Sequence, residues 1–210
     1  MSNQVIRSVM AAALTVAGTI TASDAAVAAP LAASGRTSDT VMTGKSLGRL
    51  GSLTDLIVER LRVSDDVAAS KFGTDRPIDD PVREQQVLDG VRKQAADLGL
   101  DPDAVAAFFQ DQITASKIVQ RGLFARWTAH PDEAPTTRPD LAQIRARLDQ
   151  LTTALLQQLD TTEDLRAKPR RCTAELAFAV DSTVVLQRLD PLHRRALRTA
   201  AKSVCARWTR

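Results

Sequence analysis

Arg60 and Lys71 stand eleven residues apart in a run whose apolar members, Leu53, Ile57, Val63 and Val67, keep spacings of three and four. At ~100° per residue, eleven steps return to within ~20° of the starting direction. Both cations therefore project from the apolar face of one helix. A charge there is costly unless it meets a partner. A single arginine could snorkel from the edge of such a stripe, but similar interruptions accumulate. After Pro102, Ser116 and Gln120 break the stripe Phe109, Ile113, Leu123 and Trp127. Satisfaction by backbone or water is the plain alternative for that pair. After Asp140, Arg145 flanks Leu141, Ile144, Leu148 and Leu155. Asp80, Arg83 and Glu84 gather at another helix start, where capping and a surface ion pair would account for them equally well.

Arg60, Lys71, Arg83 and Arg145, with Gln120, Ser116 and Glu84, form the inventory of a pocket for a small ligand carrying two carboxylates and a hydroxyl. Arginine grips a carboxylate bidentately, and lysine reaches a carboxylate or another oxygen. No nucleophile accompanies them: G-x-S-x-G is missing, and His130 and His193 lie in a Pro-rich loop and a basic helix. No cluster has metal-ligand spacing. Thr43-Gly44-Lys45-Ser46 lacks the upstream glycine of a phosphate loop, since Asp39 stands there. No cofactor is expected, and the chemistry left is binding, orientation and charge placement.

The elements that must position these groups read as helices throughout. Asp80-Pro81, Asp101-Pro102 and Asp190-Pro191 pair an N-cap with proline at the first helical position, and Asp140 caps another start. Helices are predicted over about 52–72, 81–99, 102–128, 140–165, 172–189 and 191–208, with 130–139 as a Pro-rich loop. No alternating strand pattern or internal repeat interrupts them. The expected fold is all-α, a single-domain bundle of about six helices with one disulfide.

The 210 residues suffice for one core, and 44% apolar with 25% charged residues is an ordinary globular composition. Residues 1–7 carry one positive charge, 9–20 are apolar, and Ala26-Val27-Ala28 suits cleavage, so 1–28 reads as a secretory signal peptide. An uncleaved anchor is the alternative, although the run is short for a membrane span. Residues 29–50 read as a flexible lead, and 51–210 as the helical domain. Cys172 and Cys205 are the only cysteines; in an exported chain they suggest one disulfide, with two buried thiols as the alternative. A net charge of +3 and few aromatics do not call for nucleic acid, and no membrane partner is expected after signal cleavage. Arg166, Lys168, Arg170 and Arg171, and Arg194, Arg195, Arg198 and Lys202, read as solvated helix faces.

The stretch Glu59-Arg60, then Lys71, then Pro77-Ile78-Asp79-Asp80-Pro81-Val82-Arg83-Glu84, resembles the all-helical chorismate mutases. Ser116-Lys117-Ile118-Val119-Gln120 is similar to the family's later Ser/Thr-x-x-x-Gln/Glu element. The likeness spans about 53–205. The leader, extra helices and cysteine pair resemble the exported, secreted or periplasmic, subclass, in which the pocket lies within one chain. The resemblance implies conversion of chorismate to prephenate, a step of aromatic amino-acid biosynthesis, and allows a homodimer. It implies that Arg60 and Arg145 bind the substrate carboxylates, with Arg83 and Ser116 completing that shell. It assigns Lys71 and Gln120 to the ether oxygen, and Glu84 with the Asp80 backbone to the ring hydroxyl. Val87 departs from exported members that carry a polar residue there; its aliphatic surface could pack on the ring. Two other readings compete: an exported helical inhibitor or interaction module, and a carrier of small aromatic acids without turnover. Neither explains cations and Gln120 on core stripes at these spacings as directly.

Overall fold

The computed structural model describes residues 44–206. The signal peptide expected over 1–28 and most of the lead expected over 29–50 lie outside that range. Among the described residues there are seven α-helices and no strand: α1 Gly51–Lys71, α2 Pro81–Asp97, α3 Pro102–Ala129, α4 Leu141–Thr161, α5 Glu163–Arg166, α6 Pro169–Leu186 and α7 Pro191–Ala200. A single 3-10 turn, Pro131–Glu133, opens the Pro-rich loop.

The start signals act as their chemistry predicts. Asp80 accepts from Arg83 N–H, Asp101 from Asp103 and Ala104, Asp140 from Ala142, and Asp190 from Leu192 and His193. Gly99, at φ +72, ends α2 in a conformation that L side chains resist, while Leu100 N–H returns to the Ala95 carbonyl.

Helix α3 is the spine, packed against α1, α2 and α7, while α4 lies along α1. Leu53, Ile57, Val105, Phe108, Phe109, Ala115, Val119, Leu155 and Leu159 form the centre of the core. Val63, Ile144 and Leu151 form a second cluster with Leu56, Val67, Leu141 and Leu148 between α1 and α4. Gly122 lets α7 approach: a Cβ there would meet Leu192 Cδ1 at 2.5 Å.

Three local expectations are corrected. The fourth helix stops at Thr161, four residues short of the predicted end. Thr162 folds back through its hydroxyl to the Gln158 carbonyl, and the one-turn α5 follows. That turn carries Arg166 inward, only 2% exposed, with Nη2 donating to the Leu159 carbonyl at 2.5 Å. Arg166 is thus no part of a solvated face, although Lys168, Arg170 and Arg171 are exposed. Helix α7 ends at Ala200 and continues as turns to 206; Trp208 lies outside the described residues.

The described end of the lead, 44–50, is held in place. Ser46 donates from N–H and Oγ to Asp55, and its Oγ accepts from Thr183 at 2.6 Å. Leu50 is fully buried. The physical reason is that Asp55, on α1, also accepts from Gln187 at 2.6 Å, so the segment closes a polar network between α1 and the chain after α6. Cys172 and Cys205 form a disulfide with Cα atoms 5.7 Å apart, tying α6 to the turns after α7. Closing this 33-residue separation corresponds to roughly 3–4 kcal/mol on chain-entropy arithmetic.

Candidate active site

Arg60 is the most constrained of the candidate residues. Its backbone belongs to the apolar stripe of α1, and its side chain is only 8% exposed. Nη1 lies 3.4 Å from both the Leu148 carbonyl and Thr152 Oγ1 on α4. The guanidinium carbon sits 5.7 Å from the centroid of the Phe109 ring on α3, within cation–π reach. No carboxylate forms a salt bridge with it among the described residues. Burial pulls its pKa down to about 10, partly opposed by the charge of Asp149.

Arg145 shares a stripe of α4 with Leu148 and Thr152, one turn before the groups that Arg60 contacts. Its side chain is exposed. Arg60 thus reaches into the seam between α1 and α4, while Arg145 stands exposed on α4 one turn before Leu148.

Lys71 closes the last turn of α1, half-buried. Its Nζ donates to the Pro77 carbonyl at 2.9 Å and the Ile78 carbonyl at 3.4 Å. Burial lowers its pKa from the usual lysine value, while Asp80, Asp79 and Glu84 oppose the shift. Those carboxylates come from the loop and first turn that follow. Asp80 N–H donates to Glu84 Oε1 at 3.2 Å, and Arg83 N–H donates to Asp80 Oδ1 at 3.0 Å, a reciprocal closure like a capping box. Val87 lies one turn beyond Glu84 and is half-buried.

On α3, Gln120 is 4% exposed and its Nε2 donates to Ser116 Oγ at 3.0 Å, one turn back. Its Oε1 is buried without a hydrogen-bond partner. Phe109, under Arg60, is two turns before Ser116 on the same stripe. Arg60, Lys71, Glu84, Ser116 and Gln120 thus stand on α1, α2 and α3, of which α3 packs against the other two. Arg83 is less engaged: it is exposed, with Nη1 3.4 Å from Gln86 Oε1 on its own helix.

Sequence reasoning missed several partners. Thr152 follows Arg145 by seven residues, and that spacing could have revealed it. Lys117 carried no such signal, because it lies off the core stripe; it bonds both oxygens of Glu84 at 3.0 and 2.8 Å. Arg121 reaches both oxygens of Asp79 from one nitrogen, Nη2, at 2.8 and 2.7 Å. The exposed face of α7 and the turn after it, where Arg194, Arg195, Arg198 and Lys202 surround an open hollow of about 630 Å³, share no residue with this set. Among the described residues no His, Cys, Asp and Glu group could hold a metal ion.

The chain is similar to known proteins over most of its length. Residues 51–121 match the family model described as chorismate mutase type II. The chain is 35% identical over 163 residues to the secreted chorismate mutase of Mycolicibacterium smegmatis, covering 78% of this chain and 90% of that protein. It is 37% identical over 157 residues to the secreted chorismate mutase of Mycobacterium tuberculosis, covering 75% and 78%. The crystal structure of chorismate mutase from Burkholderia phymatum superposes with a TM-score of 0.71 at 35% identity, covering 76% of this chain and 97% of that one.

Proposed function

The chain belongs to the type II chorismate mutases, and from that premise we propose that one chain supplies the whole cationic site for converting chorismate to prephenate. The reaction is an intramolecular rearrangement: an ether C–O bond breaks while a new C–C bond forms in the same molecule. Nothing is transferred to the protein. Catalysis consists of holding the compact reactive conformer and stabilising negative charge that grows on the ether oxygen.

The observation that carries this reading is Arg60, a buried guanidinium with no ion-pair partner among the described residues. A dianion supplies the missing charge. Arg60 takes one carboxylate from inside the α1–α4 seam, and Arg145 takes the other from its rim. Arg83 and Ser116 complete the anion shell. Lys71 has three N–H donors, of which two reach the Pro77 and Ile78 carbonyls; the third is available to the ether oxygen.

Gln120 supplies the second donor. Its Nε2 carries two hydrogens: one goes to Ser116 Oγ and the other is available to the ether oxygen, which leaves the Ser116 hydroxyl proton for a carboxylate. Glu84 retains lone pairs beyond those used by Asp80 N–H and Lys117, enough to accept the ring hydroxyl. Val87 packs its methyl groups against the ring.

The domain spans 51–210 behind a signal peptide over 1–28, and the protein is exported to the periplasm or beyond. The leader pattern, the disulfide and the likeness to relatives named as secreted support that placement.

The test is loss of chorismate absorbance with purified protein and Arg145→Ala. Arg145 is exposed, so the variant keeps its fold. KM rises at least about tenfold, as expected for a lost bond to a charged group. A wild-type KM would remove Arg145 from the site, and chorismate bound without loss would refute turnover.

A further inference from the structure

We propose that Lys117 is a positioning residue for the rearrangement, holding the Glu84 carboxylate ready for the ring hydroxyl and cancelling negative charge where the dianion enters. The inference rests on the role given to Glu84 above and goes beyond it to a residue outside the core stripes.

Lys117 stands next to Ser116 in the chain, but one residue turns the helix by ~100°, so its side chain reaches toward α2. Nζ lies 3.0 Å from Glu84 Oε1, 2.8 Å from Glu84 Oε2 and 3.2 Å from Asp79 Oδ1. The side chains of Lys117 and Glu84 are only 18% and 21% exposed. That shielding separates this contact from its neighbour. Arg121, one turn later on α3, pairs with Asp79 at 2.7 Å, but those side chains are 56% and 53% exposed and the pair is screened by water. The largely shielded Lys117–Glu84 contact keeps more of its strength.

Two consequences follow. First, the carboxylate has its orientation set from both sides, by Lys117 on α3 and by the Asp80 N–H at the start of α2. A bound hydroxyl then meets an acceptor that need not be ordered on binding. Second, Asp79, Asp80 and Glu84 place three negative charges near Lys71, and their attraction opposes the loss of its proton. Lys117 and Arg121 offset the remaining negative charge before a dianion arrives. Removing Lys117 leaves an unmatched carboxylate facing the substrate. Lys117 also ties down Asp79, in the loop whose Pro77 and Ile78 carbonyls hold Lys71.

Steady-state kinetics on the full chain test this with Lys117→Met, Lys117→Gln, Lys117→Arg, Glu84→Gln and the Lys117→Met/Glu84→Gln double variant. Thermal melts confirm folding, and Lys117→Gln serves if the methionine variant does not fold. The neutral variants raise KM roughly tenfold with a smaller loss in kcat, and Lys117→Arg restores most of the difference. In the Glu84→Gln background, removing Lys117 adds less than about twofold, because the two act as a unit. If Glu84→Gln impairs the enzyme while the neutral Lys117 variants keep wild-type KM, the inference fails and the site stands. Fully multiplicative effects also overturn it. Wild-type kinetics in Glu84→Gln would remove Glu84 from the site and this role of Lys117 with it.

Discussion

Replacing Gln120 by glutamate tests the donor role of this position without changing its shape. The wild-type amide donates a hydrogen bond at every pH in the working range. A glutamate can donate from the same place only when protonated. At 4% exposure the new carboxyl loses most of its hydration, which favours the neutral acid over the anion. The dianionic substrate pushes the same way, while Arg60 and Lys71 oppose it. Above the pKa of that carboxyl, the competent fraction falls tenfold for each pH unit, about 1.4 kcal/mol per unit in the barrier. The ratio of wild-type to variant kcat/KM therefore grows about 100-fold over two pH units on that limb, and the two proteins converge toward acid. The assay is chorismate loss by absorbance from about pH 5 to pH 8 at constant ionic strength, with melting curves at each pH as the folding control. Parallel profiles would refute the donor role. A variant more active at alkaline pH would refute the placement of Gln120 beside an oxygen that gains negative charge.

Lys71→Ala lowers kcat by on the order of 10²–10³ with a retained helical spectrum, since a half-buried end-of-helix lysine contributes a donor rather than core volume; unchanged turnover would count against the site. Replacing Cys172 and Cys205 together by serine lowers unfolding free energy by about 2–4 kcal/mol in denaturant titration but leaves kcat/KM within about twofold. The bridge joins α6 to the turns after α7, whereas the candidate residues sit on α1 to α4; a large kinetic loss would show that the bridge supports the site. His193 bonds Asp65 at 3.1 Å and Asp190 at 2.6 Å, and these partners raise its pKa, Asp65 foremost. Its charged form stabilises the docking of α7 fully below about 6.5 and loses that effect as pH rises through the raised value. The Tm advantage of wild type over His193→Asn should shrink over that window, and a pH-independent difference would reject the ion-pair account.

Much of this architecture is legible in single residues. Aspartate before proline marks the starts of α2, α3 and α7, because the carboxylate accepts the free N–H groups of the first turn and proline has none to satisfy. Arg60 and Gln120 betray themselves as polar residues on stripes otherwise apolar, and both are buried. Other features carry no periodic signal. The break at Thr162 arises from a hydroxyl folding back on its own helix, which any threonine can do. Residues 44–50 have the composition of a linker, yet Ser46 is bonded to Asp55 and to the distant Thr183, Asp55 is bonded in turn by Gln187, and Leu50 is buried in the core.

By itself, the sequence determined the helices, their faces and the spacing of Arg60, Lys71, Ser116 and Gln120, since helical geometry converts residue number directly into direction. It also held the motifs that mark the family. Only the tertiary structure decided which helix each charge meets. Arg60 lies over Phe109 and against Thr152 because α1 packs on both α3 and α4. Glu84 is bonded to Lys117 because α2 packs on α3. Those contacts join residues from 33 to 92 positions apart. Periodicity along one helix gives a side chain its direction but not the neighbour that will occupy it, and that neighbour decides whether a buried charge is merely housed or ready to bind.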